Sequence, residues 1–218
     1  MRERALPIRA AVPVALAAAG LLLTGCGTTP APVAPARTAA PKAGASNAAA
    51  PTAGVPKAAA TLGGPGTACA LPVSFALAER WEPEAIDDPE NPEFAALTRQ
   101  GPAVVRCEVD AKGAGHVGYL RIWTAGKGPA RTALEGFVKA ERKTSKVAYR
   151  ETGAGALPAT EVTYTVANEL MEESKEERAF AVSTSKGVVI VHLGGLDTDE
   201  HRAMIPAYEL AKSTLKAL

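Results

Sequence analysis

Histidine and cysteine are scarce in this chain, three of each, and aromatic residues make up only 5% of it. Formal net charge is +1, from 24 basic and 23 acidic residues with no long block of one sign. Such a balance lacks the basic footprint that nucleic-acid binding needs, which argues against that partner. The spacings GxSxG, HExxH and SxxK and a phosphate-cradling glycine loop are all missing, so the common hydrolase and nucleotide-binding signatures are absent. Three histidines also leave few bases for a convergent catalytic arrangement. No apolar run reaches the roughly 20 residues that a permanent membrane-spanning helix requires.

What is present starts at the N-terminus, where Arg2, Arg4 and Arg9 precede the apolar run Ala10 to Leu23, interrupted by Pro13 and Gly20. A charged region followed by a short hydrophobic one is the order of a secretory signal. The run ends in Leu23-Thr24-Gly25-Cys26, which resembles the lipobox of bacterial lipoproteins. That resemblance implies cleavage after residue 25, a diacylglycerol on the Cys26 thiol, and a lipid-anchored position on the extracytoplasmic face of the cell membrane. Two acyl chains hold where one binds reversibly, because each buried CH₂ contributes about 0.8 kcal/mol.

From Gly27 to Gly66 the composition turns to Ala, Pro, Thr and Gly, with Arg37, Lys42 and Lys57 but no acidic or aromatic residue. Too little apolar surface is available there to offset ordering entropy. Residues 1–25 therefore read as signal peptide, 26–66 as a disordered tether and 67–218 as a single globular domain of about 150 residues. Within that domain only Cys69 and Cys107 remain. Two cysteines in an exported domain, outside any CxxC and not beside His, point to a structural disulfide.

The domain's pattern reads as strands, helix, strands, helix. Strands are expected at Val73–Leu77, Val104–Val109, Val117–Thr124, Thr160–Val166, Arg178–Ser183 and Val188–Leu193, from alternation or β-branched runs. Val105, Cys107 and Val109 alternate with polar neighbours, and Val162, Tyr164 and Val166 read as inward against outward Glu161, Thr163 and Thr165. Val188–Val191 is apolar enough for a central strand buried on both faces. Residues 82–92 read as a loop, followed by a short helix near Phe94–Arg99. Pro129 suits a helix start, with Leu134, Phe137, Val138 and Glu141 at helical spacing. A last helix starts at Asp197, capped with Glu200 three residues on, and carries the stripe Met204, Tyr208, Ala211, Leu215 and Leu218; Pro206 predicts a kink in it.

Hairpin-length links among the strands predict an α+β fold, an antiparallel sheet packed by helices. Leu71-Pro72-Val73-Ser74-Phe75 followed by Trp81, the late strand into Gly194-Gly195, and the closing Leu210-Ala211-Lys212-Ser213-Thr214-Leu215 resemble secreted actinomycete lipoproteins with a PsbP-like α/β sandwich. That resemblance implies a non-enzymatic binding or assembly factor.

Among residues able to carry chemistry, His192, Asp197, Asp199, Glu200 and His201 form the densest cluster and could ligate a metal. The structural account is simpler: Asp197 caps the helix, Asp199 and Glu200 complement its positive end, and His201 is solvated. Asp87, Asp88, Glu90 and Glu93 miss the EF-hand spacing and read as an exposed loop. The charge run Glu172 to Arg178 reads as a solvated turn. Trp81, Tyr119 and Trp123 fit either a ligand groove or sheet packing. No cofactor, metal or catalytic residue is assigned. The expected function is a non-catalytic envelope module whose partner is a protein, lipid or cell-wall ligand; the alternative is a small surface hydrolase or metal-dependent enzyme.

Overall fold

The computed structural model describes residues 56–168 and 173–218. Cys26, the lipobox and the signal peptide lie outside the described residues.

The strands in chain order are β1 (Ala58–Leu62), β2 (Val73–Ala78), β3 (Glu82–Ala85), β4 (Arg99–Gln100), β5 (Ala103–Asp110), β6 (Gly118–Ala125), β7 (Thr144–Ala154), β8 (Leu157–Asn168), β9 (Glu173–Thr184), β10 (Gly187–Gly195) and β11 (Lys216–Ala217). Helix α1 spans Ala130–Ala140 and α2 spans Thr198–Thr214. Eight strands form one antiparallel sheet in the order β3-β5-β6-β10-β9-β8-β7, with β4 also on β5. The chain leaves β6 through α1, reaches the far edge at β7, and meanders back until β10 closes against β6. A second, three-stranded sheet has the order β1-β2-β11.

Every residue of β10 is buried, so the sheet needs a covering layer on each face. Val188 and Ile190 pack with Leu134, Phe137 and Val138 of α1. Val189, Val191 and Leu193 pack with Met204, Tyr208 and Ala211 of α2 and with Val73, Phe75 and Leu77 of β2. Alternation along one strand thus separates two cores.

One irregularity sets the sides. The β5–β6 register shifts between Val105 and Cys107, so Arg106 is an extra residue. Val105 joins the α1 core, whereas Cys107 and Val109 join the α2 core. The expectation that all three share a face is corrected by this bulge. Because Cys107 turns toward β2, it reaches Cys69, and the two form a disulfide with Cα atoms 5.9 Å apart.

Several expectations change in the structure. The boundary at residue 67 moves toward the N-terminus, because β1 pairs with β2 and Leu62 is buried. Residues 82–85 form a strand on β5 rather than a loop. The short helix is a 3₁₀ turn over Pro92–Thr98, capped by Asn91. Strand β7 went unread because most of its residues are exposed at the sheet edge. Leu215 is buried but caps α2 rather than belonging to it, and Leu218 stays exposed.

Glu161 is the sharpest correction. It is fully buried, because β8 presents Glu161 to α2 while Val162 and Tyr164 face α1. Tyr208 donates to it at 2.9 Å, Lys212 at 3.1 Å, and Arg150 pairs with it from β7. Burial would raise the Glu161 carboxyl, but these donors outweigh it and hold it below the carboxylate range.

Removing one side of a buried ion pair leaves the other uncompensated. Glu161→Leu should therefore cost about 3–5 kcal/mol in chemical denaturation, with most of it restored by adding Lys212→Met; a single-variant cost near zero would show that α2 does not depend on this pair. Replacing both disulfide cysteines by Ala should cost about 4 kcal/mol, from the chain-entropy relation at a sequence separation of 38 residues. Thiol trapping of the untreated protein should find neither Cys69 nor Cys107 free.

Candidate functional site

His192 stands on the α1 side of β10, two residues beyond Ile190. Its ring packs edge-on against Phe137 at 5.5 Å and stacks with Tyr164 at 6.4 Å between centroids. An imidazole in this setting needs a polar partner, and β9 supplies one. Strand β9 alternates so that Lys175, Glu177 and Ala179 share the α1 face, and Glu177 Oε2 lies 2.7 Å from His192 Nε2. Lys175 Nζ pairs with the other Glu177 oxygen at 2.7 Å and donates to the Gly195 carbonyl at 3.0 Å. Tyr164 Oη is 3.3 Å from the same imidazole nitrogen.

Lys175 connects this interior chain to the surface. With Tyr119, Glu108, Asp110, Lys112, Val117, Gly118, Gly195 and Leu196 it lines a cleft of about 370 Å³. Beside it Arg121 donates to Glu108 at 2.6 Å and to Tyr119 Oη at 3.2 Å, its guanidinium lying 3.9 Å from the Tyr119 ring centre.

The electrostatics follow from this pairing. Burial would raise the Glu177 carboxyl, but His192 and Lys175 outweigh it and hold it below the ordinary range. Burial would lower Lys175, but Glu177 raises it. Burial first, then the Glu177 charge, pushes the Tyr164 hydroxyl well above its usual range. A carboxylate so stabilised is a weak base, and a lysine held protonated is a poor nucleophile. The arrangement is suited to fixing shape and charge at a cleft.

The candidates from the sequence are dispersed. Asp197 does cap α2, accepting from the Glu200 backbone N–H at 2.8 Å. Glu200 lies 3.3 Å from His116, and Asp199 is exposed beside Arg202. His192 belongs to the opposite face of the sheet from α2. Among the described residues no group of three or more His, Cys, Asp or Glu converges on a metal position. Asp88 pairs with Arg106 at 3.0 Å, and Asp87, Glu90 and Glu93 are exposed. Trp81 belongs to the α2 core and Trp123 to the α1 core, where it packs on Phe137 at 5.2 Å; only half-buried Tyr119 reaches the cleft.

Two readings are corrected. Residues 173–178 form the start of β9, not a solvated turn, and Glu177 is buried. His201 is buried, not solvated. Lys175, Glu177 and Arg121 were missed because charge was taken to point outward, and Tyr164, read as inward, was taken for packing alone although its hydroxyl meets His192. The available signal was period-two parity, which sets residues 175 and 177 on the same face as Ala179 and Ala181.

Fold and site together define a mixed α/β domain with antiparallel sheets, few helices and buried carboxylates paired to several donors. Residues 38–215 match the family described as uncharacterised lipoprotein, and the chain belongs to that family. A search of curated proteins finds no match to this chain. Among the described residues no helix is long and apolar enough to cross a membrane.

His201 gives a pH signature. Burial lowers its pKa from 6.5 to about 4, aided by Arg178 and opposed by Glu177 and Glu176. Unfolded chain therefore takes up this proton before folded chain does, so stability is full above about 6.5 and falls as pH drops toward 4. The loss amounts to about 3 kcal/mol by the one-unit conversion. Denaturation at pH 7 and pH 5 should show a smaller difference for His201→Gln than for the parent; equal slopes would place the titrating group elsewhere.

Proposed function

We propose that the chain is a lipid-anchored module on the extracytoplasmic face of the cell membrane. In this reading residues 1–25 are removed as a signal peptide, Cys26 carries the lipid, and the Ala/Pro-rich residues before β1 act as the spacer. The domain serves as a non-catalytic binding or assembly module, related to the PsbP-like sandwich of actinomycete lipoproteins. The observation that carries this is the lipoprotein-family match over residues 38–215, which lies downstream of the lipobox-like Leu23-Thr24-Gly25-Cys26. An antiparallel sheet with a helix on each face supports the PsbP-like relation. The non-catalytic part is supported by the pairing of Glu177 with both Lys175 and His192, which leaves these internal acidic and basic groups occupied with each other.

Cys26→Ser should move the protein out of the membrane fraction and abolish labelling by a palmitate analogue. Undiminished membrane retention of the unlabelled variant would overturn the anchor. Cross-linked purification of the parent from its own membrane should then recover a stoichiometric envelope partner or ligand.

A further inference from the structure

On the α2 face of the sheet, opposite the paired Glu177 and His192, β8 and β9 border a cavity of about 190 Å³. Period-two alternation puts Thr163 and Thr165 on the same face as Glu161, and Glu176 and Arg178 on the same face as Phe180, which packs on Tyr208. Helix α2 adds His201 to the lining, and β7 adds Lys146. Lys146 arrives there through an irregularity: the β7–β8 register shifts between Ser145 and Ala148, and Lys146 has a φ of 51°. A bulge re-aims a side chain, and a lysine at positive φ is a conformation that its surroundings must maintain.

What each group has left to give narrows the occupant. Both oxygens of Glu176 accept from Arg202, at 2.7 and 3.2 Å. Glu177 also borders the cavity, but its carboxylate is turned to the other face, where it meets Lys175 and His192. The carboxylates are thus engaged, whereas the donors are not. Arg178 gives Nη1 to Glu209 at 3.3 Å, while its buried Nε has no partner. His201 is 2% exposed and its Nδ1 has no partner either; with its pKa near 4 the ring is uncharged at neutral pH and keeps one N–H. The Thr163 and Thr165 hydroxyls and the Lys146 ammonium make no hydrogen bond or ion pair among the described residues. Unpartnered lysines occur elsewhere on the surface, but this one shares a cavity with an unpartnered guanidinium nitrogen, an unpartnered imidazole and two free hydroxyls. Arg and Lys can only donate, and a buried donor without an acceptor is costly. The cavity falls below the roughly 300–1,000 Å³ of organic-ligand pockets. An oxyanion group is small enough for it, brings acceptors on several sides, and carries the charge that Lys146 and Arg178 complement.

We propose that this cavity binds a small oxyanion, a phosphate, sulfate or carboxylate group, held by the Thr163 and Thr165 hydroxyls, the Lys146 ammonium and the Arg178 guanidinium, with His201 as its buried wall. The site uses neither the lipid anchor nor the Lys175 cleft, so it stands or falls apart from the function proposed above.

The full chain, purified from its membrane in non-ionic detergent, is dialysed to equilibrium against radiolabelled phosphate, sulfate or acetate, with ionic strength held constant by chloride. At least one of the three should bind saturably at millimolar concentration, with one anion per chain. Unlabelled inorganic anion and glycerol phosphate are then compared as competitors, and the stronger identifies a free anion or a lipid headgroup as the source. Lys146→Asn removes the ammonium with a residue that tolerates positive φ, and Thr165→Val is a same-shape change at a half-buried strand position. Each should weaken binding at least threefold, while Lys139→Gln, an exposed change on α1, should leave it unchanged. Absence of saturable uptake of all three anions, competition by chloride equal to that by the bound anion, affinity indifferent to Lys146→Asn, or an equal loss with Lys139→Gln would each overturn the proposal.

Discussion

A strand with nine residues and no exposed side chain dictates most of this architecture. Buried on both faces, β10 can exist only if something covers each side of the sheet, and the chain supplies the covers by two different routes. Helix α1 is a crossover, passing over β8, β9 and β10 while the chain travels from β6 to the far edge. The opposite cover is assembled from the two ends of the domain, α2 from the C-terminal side and β1-β2 from the N-terminal side. Two such distant pieces lose more entropy on meeting than a local crossover does. The short pairing of β11 with β2 joins them, and the Cys69–Cys107 bond ties the chain before β2 to β5 of the main sheet.

The two buried carboxylates inside this frame each have more than one partner. Glu161 meets Tyr208 and Lys212 on the α2 side; Glu177 meets His192 and Lys175 on the α1 side. Because desolvation offsets much of the attraction, such sets add little net stability over apolar packing, yet one half cannot be removed cheaply. Their effect is on position. A helix held to a sheet by Leu and Met contacts alone can slide, whereas Lys212 and Tyr208 reach one carboxylate only from one placement of α2.

This division explains what was legible in the residues. The doubly buried β10, the Asp197 cap, the disulfide and the α1 stripe all follow from local rules, because each depends on residues within a few positions or on compartment. Glu161 and Glu177 were misread because a charged residue in an alternating strand ordinarily faces water, and only the far partners Lys212 and His192 reverse that. Arg106 was misread for a related reason: a one-residue bulge leaves no mark in composition, yet it moves Cys107 to the other face. Strand β7 lacks the apolar alternation that identifies a strand, since at the sheet edge most side chains of both its rows stay in solvent. The Lys175 cleft was invisible in the sequence because its residues come from four separate strands and loops.

The length of the sheet bears on how an anchored domain would be presented. Ala58, where the chain enters β1, pairs with Ala78, and the following Arg80 carbonyl lies against Gly113, in the turn between β5 and β6. The chain therefore enters at the end that holds the Lys175 cleft. The opposite end of the sheet lies about eight strand residues or roughly 26 Å away. On the lipid-anchored reading about thirty residues separate Cys26 from β1, a length that spans at most about 100 Å. That reach exceeds the length of the sheet, so attachment through Cys26 does not itself dictate which end meets the membrane.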